Sequence, residues 1–173
     1  EADTLLRNAV NDSFNCISVE GHMSTSDTVL LLANGAADTG PLADADRPRL
    51  QQAIDEVASE LAQAIIRDAE GADHFVTIDV RGGRTRDEAF RIAKFVAESP
   101  LVKTAIAGAD PNWGRIVSAA GYAGVKLEER DISLRVNGIW LYRTGAPVDF
   151  DAAVVSASIR NNRDVSIELE LTL

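Results

Sequence analysis

The chain has 173 residues, 46% hydrophobic and 25% charged, a balance that excludes a disordered polymer and suits a folded chain with one core or two small ones. With 17 Lys and Arg against 27 Asp and Glu the net charge is -10, so the surface field repels phosphate backbones and speaks against nucleic acid as a partner. No stretch approaches the roughly 20 apolar residues of a bilayer span, and the single Cys16 excludes an intrachain disulfide, a thiolate zinc cluster and a CxxC redox pair. We therefore expect a cytoplasmic chain with no membrane partner.

Residues 3–14 place Leu5, Leu6, Ala9, Val10 and Phe14 at helical spacing behind Asp3 as N-cap, which predicts an amphipathic helix. Residues 16–20 alternate like a strand, Gly21 breaks into a hydroxyl-rich loop, and residues 28–33 form a second apolar element. Gly35, Gly40, Pro41 and several Asp residues mark 34–46 as a surface loop. Asp46 then caps a long helix to about Asp68, with Pro48 in its first turn and Leu50, Ile54, Val57, Leu61, Ala64 and Ile65 on one face.

Beyond Gly71, residues 74–80 alternate as a strand stopped by Gly82-Gly83. Thr85 with Glu88 is a capping-box pattern opening a helix to about Glu98, ended by Ser99-Pro100. Residues 101–107 are apolar and ambiguous between strand and helix. A helix over 112–120 follows, with Gly121 as its stop. Residues 132–136, 139–142 and 165–173 read as strands, the first two joined by the hairpin signal Asn137-Gly138. Residues 149–159 read as a helix and Asn161-Asn162 as a turn. These elements predict an α/β chain, a two-lobed mixed α/β sandwich-type domain, with lobes 1–122 and 123–173.

Four places carry candidate chemistry. His22 and His74 stand apart from any HxxxH or HExxH spacing, so no metal site is expected, and each is either an exposed imidazole or a general base. Ser24, Thr25, Ser26 and Thr28 beside Asp27 either cap the following element or include a hydroxyl nucleophile. Glu70, between the long helix and the first strand, is either solvent-facing or the receiver of a substrate ammonium group through a charge-assisted hydrogen bond. The run 108–115, GADPNWGR, is neither a Walker loop nor a dinucleotide fingerprint. Asp110 or Asn112 suits a helix cap there, and Trp113 a core anchor.

Residues 102–116, VKTAIAGADPNWGRI, match nearly the whole KTAIxGxDPNWGRI signature of the ornithine acetyltransferases, also called glutamate N-acetyltransferases, of arginine biosynthesis. The segments 9–15, AVNDSFN, and 24–29, STSDTV, resemble that family's AVxxSFN and STNDTV, so the likeness runs over almost the whole chain in order. The resemblance implies an acyltransferase of arginine and amino-acid biosynthesis that moves acetyl from N-acetylornithine to glutamate, giving ornithine and N-acetylglutamate, with no metal or cofactor. Acetyl-CoA is an alternative donor in some members.

It also implies autocatalytic cleavage of a precursor before a threonine, whose free α-amine then serves as base for its own hydroxyl. This chain corresponds to the downstream, beta-chain half. The nucleophilic Thr is expected upstream of Glu1 and a tail bearing a substrate-closing Asn and Thr beyond Leu173, so no catalytic residue is expected within these residues. The family's alpha chain is the implied partner, in a heterotetramer of two alpha and two beta chains.

The glutamate of the family's RDGEGA motif matches Glu70 within 67–72, RDAEGA, and the resemblance makes it the substrate contact. Ala69 in place of Gly, Asp73-His74 in place of a Thr and a basic residue, and Glu20-Gly21-His22-Met23 in place of DGDT are departures that bear on substrate choice. Two other readings fit the same residues: a related N-terminal-nucleophile amidohydrolase, and a noncatalytic amino-acid-binding or assembly module.

Overall fold

In the computed structural model, which describes residues 2–37, 40 and 42–173, the chain forms two compact units, Glu1–Ala69 and Glu70–Leu173. The first is two helices and the chain between them. Helix α1 (Ala2–Asp12) turns through a 3-10 segment, Phe14–Cys16; a second 3-10 segment, Asp44–Asp46, leads into α2 (Arg47–Arg67). The expected apolar face of α1 is the one it uses, with Ala9 fully buried and Leu5, Leu6, Val10 and Phe14 partly so. Gln51 pins the pair, donating to the Leu5 carbonyl at 3.0 Å and accepting from Asn8 Nδ2 at 3.1 Å.

Helix α2 begins where expected, with Pro48 in its first turn, but Asp46 stands at the N-cap position without a capping hydrogen bond from its side chain. Its buried residues, however, are Ala58 and Ala62, whereas Leu50, Val57, Leu61 and Ile65 are exposed. Small side chains let α1 approach closely, and the larger ones project elsewhere. Residues 16–20, expected as a strand, are instead the end of a 3-10 turn and irregular chain, and residues 28–33 form neither helix nor strand. Extended apolar chain becomes a strand only when a neighbour completes its ladder, and neither stretch has one among the described residues. Of the expected loop, Asp38, Thr39 and Pro41 lie outside the described residues.

The second unit is a mixed five-stranded sheet with helices against its apolar face. Its strands are β1 (Phe75–Arg81), β2 (Ile132–Val136), β3 (Ile139–Arg143), β4 (Ala146–Pro147) and β5 (Asp164–Leu171), in the order β1-β5-β2-β3-β4. Strand β1 is parallel to β5, and the remaining pairings are antiparallel. Alternation sets the faces. Val165, Ile167, Leu169 and Leu171 of β5 pair in register with Ile132, Leu134 and Val136 of β2 and with Val76, Ile78 and Val80 of β1.

Against that surface lie Ile92 and Val96 of α3 (Arg86–Glu98), Val102 and Ile106 of α4 (Pro100–Ala107), Ile116 of α5 (Trp113–Gly121), and Val155 and Ile159 of α6 (Ala152–Arg160). The opposite face is polar. There Arg135 bridges Glu168, at 3.0 Å, and Glu170, and Trp140 lies between the guanidinium groups of Arg135 and Arg143, at 4.5 and 4.6 Å. A bulge on β3 sets both Leu141 and Tyr142 against Leu134, which buries two consecutive residues where strict alternation would bury one.

The α/β class is therefore the one the sequence indicates, but the expected lobes 1–122 and 123–173 are not the observed units. Their boundary falls inside the second unit, because β1 from one side and β2 from the other both pair with β5. Residues 101–107 resolve as helix α4. Ser99 Oγ accepts from Val102 N at 3.4 Å, Pro100 fits the first turn, and Thr104 Oγ1 donates back to the Pro100 carbonyl at 2.8 Å, so local capping decides a stretch whose apolar run was ambiguous.

Candidate functional site

Glu70 lies in the turn between α2 and β1, fully on the surface. The backbone on either side is defined: Asp68 N donates to the Ala64 carbonyl at 3.1 Å to close the helix, and Gly71 takes the left-handed conformation at φ +71°. Downstream the turn is tethered at His74, whose Nε2 lies 3.2 Å from the Ile159 carbonyl, and at Phe75, whose N–H donates to the Arg163 carbonyl at 2.7 Å. Glu70 is thus an exposed carboxylate on an anchored turn, suited to receive a cation.

The other candidates part company. His22 is exposed, with Nδ1 3.3 Å from Glu20 Oε1, while half-buried His74 is engaged by a helix-end carbonyl. The hydroxyl cluster caps no helix. Ser24 Oγ accepts from Ser26 N at 3.0 Å, and Thr28 Oγ1 donates to the Ser26 carbonyl at 3.3 Å, local turns in exposed chain. Among the described residues no group of three His, Cys, Asp or Glu gathers where it could hold a metal ion, and no helix is long and apolar enough to cross a membrane.

The GADPNWGR run builds a corner between two helices. Helix α4 ends with paired reverse bonds, Asp110 N to the Ala105 carbonyl at 2.8 Å and Ala109 N to the Ile106 carbonyl at 2.9 Å, with Ala109 in the left-handed conformation at φ +50°. Of the two proposed caps, Asn112 takes the role: its Oδ1 accepts from Arg115 N at 3.2 Å, and its amide donates to Asp110 Oδ2 at 3.0 Å. Trp113 packs against the core, stacked on Tyr142 with ring centroids 5.1 Å apart.

This corner is one wall of an open cavity of about 570 Å³. Helix α5 lines it with Gly114, Val117, Ser118 and Gly121; the facing wall has Leu127, Ile132 and Tyr142, and Glu129 is the one charged lining residue. Burial, with a contribution from the nearby Glu129 carboxylate, raises the Tyr142 hydroxyl above the ordinary phenol value, so the ring stays neutral. Sequence reasoning placed Trp113 and missed Glu129 and Tyr142. Their signals were a strand residue and a loop glutamate, neither of which announces a cavity.

Sheet register separates the two places. Phe75, which follows the Glu70 turn, pairs with Asp164 at one end of β5, whereas Ile132 of the cavity pairs with Leu171 at the other. Seven steps along β5 correspond to roughly 23 Å at about 3.3 Å per residue.

A model of the ArgJ family matches residues 1–173. The chain is 44% identical over 171 residues to the arginine biosynthesis bifunctional protein ArgJ of Rhodopirellula baltica, covering 97% of this chain and 42% of that one. The protein of the same description from Bradyrhizobium diazoefficiens is 42% identical over 176 residues, covering 98% and 42%. The chain thus spans about two fifths of the length of these curated relatives. The crystal structure of the arginine biosynthesis bifunctional protein ArgJ from Bacillus halodurans matches with a TM-score of 0.94 at 33% identity, over 99% of this chain and 82% of that one.

Proposed function

The chain belongs to the ArgJ family, and from that premise we propose that it is one portion of a cytoplasmic acetyltransferase of arginine biosynthesis that moves acetyl from N-acetylornithine to glutamate. The observation that carries this reading is the family match over residues 1–173, joined to the unbroken corner motif at 108–115. A threonine hydroxyl outside these residues attacks the acetyl carbonyl, its own α-amine takes the proton, and ornithine leaves from the tetrahedral intermediate. The glutamate amine then attacks the acetyl-threonine ester and regenerates the hydroxyl. Acetyl-CoA is a second donor in this scheme.

Glu70 receives the ammonium group of the amino-acid substrate. Replacing it with Gln in the full-length protein is expected to raise KM for N-acetylornithine about tenfold with kcat little changed, the loss of one charge-assisted hydrogen bond of about 1.4 kcal/mol. Unchanged kinetics would remove Glu70 from the site.

The partner is the family's alpha chain, which lies within the part of the relatives' length beyond the matched region, in a heterotetramer of two alpha and two beta. The exposed apolar side chains of α2, Leu50, Val57, Leu61 and Ile65, and the exposed Leu30 and Leu32, are the surface it covers.

The test is the intact mass of the full-length gene product after incubation with N-acetylornithine. Two fragments, the downstream one acetylated at a new N-terminal threonine, support the reading. A single uncut, unmodified species favours the noncatalytic assembly module, and acetate release without an amine acceptor favours the amidohydrolase.

A further inference from the structure

We infer that the cavity between α5 and the β2–β3 hairpin is a binding site for a small organic cation, an alkylguanidinium or alkylammonium group carried on a short aliphatic chain. The inference is independent of acetyl transfer and of Glu70, which lies at the other end of the sheet.

Three features select that chemistry. The first is an aromatic wall: Trp113 and Tyr142 stack at 5.1 Å, and a cation at an aromatic face or a flat guanidinium along it is attracted by the ring quadrupole. The second is a single uncompensated carboxylate. Glu129 is the only charged lining residue, and its neighbour Arg130 is drawn away to Glu128 at 2.9 Å. The third is an apolar throat of Val117, Leu127 and Ile132, which takes methylene groups but offers nothing to a second charge. A volume of about 570 Å³ lies within the roughly 300–1,000 Å³ of small-molecule sites. The net charge of -10 adds a long-range pull on cations.

The turn that carries the carboxylate is held in place before any ligand arrives. Glu129 opens a 3-10 turn, Glu129–Asp131, closed by a reciprocal cap in which Glu128 N donates to Asp131 Oδ2 at 2.8 Å and Asp131 N to the Glu128 carbonyl at 2.9 Å. Gly145, at φ +83°, presses on that turn so closely that a Cβ there would stand 2.7 Å from Arg130 Cα and 3.1 Å from the Glu129 carbonyl carbon. The opposite wall is emptied by glycine: a Cβ at Gly121 meets nothing within 4 Å, and one at Gly114 meets only Asn112 Oδ1 at 3.6 Å. The room on one side and the position of the Glu129 turn on the other are therefore set by the backbone.

The experiment uses the full-length protein labelled with 5-fluorotryptophan, the Trp113 fluorine resonance being assigned with a Trp113→Phe variant. n-Butylguanidinium chloride is titrated at constant ionic strength, with neutral butyramide as the shape control. A saturable shift of Trp113 but not of Trp140, absent with butyramide, is expected. Glu129→Gln should weaken the interaction at least tenfold. Gly121→Leu, which fills the cavity where the structure has room, should abolish the shift while the melting temperature is retained. A linear, unsaturable shift, an equal response to butyramide, or undiminished binding in Glu129→Gln would overturn the assignment. Because Glu129→Gln changes an exposed side chain, that outcome stays readable if Gly121→Leu folds poorly.

Discussion

The two units use their apolar residues in opposite ways. In Glu70–Leu173 the large side chains face inward: Ile92, Ile132, Leu134, Leu141, Ile159, Ile167 and Leu169 are essentially without solvent contact. In Glu1–Ala69 the buried apolar residues are Ala9, Ala58 and Ala62, while Met23, Leu30, Leu32, Val57, Leu61 and Ile65 are exposed, Leu32 to 87%. Burial contributes roughly 25 cal/mol per Å² of apolar surface, so alanines supply little of it. One unit carries its own core. The other holds the apolar material for a core that its own residues do not complete.

Substitutions sharpen that contrast. Leu169→Ala removes a fully buried side chain at the centre of the sheet and should cost about 2–5 kcal/mol, read as a lower urea midpoint at unchanged m-value. Gly82→Ala comes next, at about 2–4 kcal/mol by the same measurement. Its φ is +76°, and a Cβ there would stand 1.9 Å from the Leu171 carbonyl oxygen, so the end of β5 must move. Asp151→Ala removes the cap of α6, whose Oδ1 accepts from Ala153 N at 2.9 Å and Val154 N at 3.2 Å, and should cost about 1 kcal/mol.

Tyr142 makes stability depend on pH only in the alkaline range. Its folded-state pKa is raised by burial and then by Glu129, so its contribution is complete below the unfolded value near 10 and declines as pH rises through the folded value. Tyr142→Phe should flatten the fall in stability above about pH 10. The smallest effect belongs to the first unit: Leu61→Ala should cost the isolated chain under about 0.5 kcal/mol. A loss as large as that of Leu169→Ala would break the contrast. In the full-length protein the same substitution should cost about 2 kcal/mol or more if the alpha chain covers it.

What the sequence could convey follows the same division. Strand β2 is found at the residues expected, and α3, α5 and α6 within a few residues, because their alternation, turn signals and caps are satisfied inside their own unit. Asn112 was legible as a cap because its partner, Arg115 N, is three residues away. Residues 16–20 failed for the converse reason: their alternation states that they would pair, and no ladder partner is among the described residues. Leu50 and Val57 were read correctly as one apolar face, but periodicity does not say what a face rests against. Glu70 was singled out by a family motif, since an exposed turn glutamate has no pattern of its own. The Trp113–Tyr142–Glu129 cavity stayed hidden because its walls are brought together by a bulge and a hairpin, features of sheet register.

The parallel pairing of Phe75 with Asp164 and of Arg81 with Glu170 has a consequence for synthesis. A ribosome that has made β1 must add more than eighty further residues before the strand that flanks it exists, and β2, paired with β3 on one side, waits for the same strand on the other. Until then Val76, Ile78 and Val80 have helices to rest on but no backbone neighbour. The second unit should therefore emerge as a helical layer and a separate β2–β3–β4 hairpin first and join β1 to them in one late step, and a nascent chain arrested short of Asp164 should be cut by protease within β1 where the released chain is not.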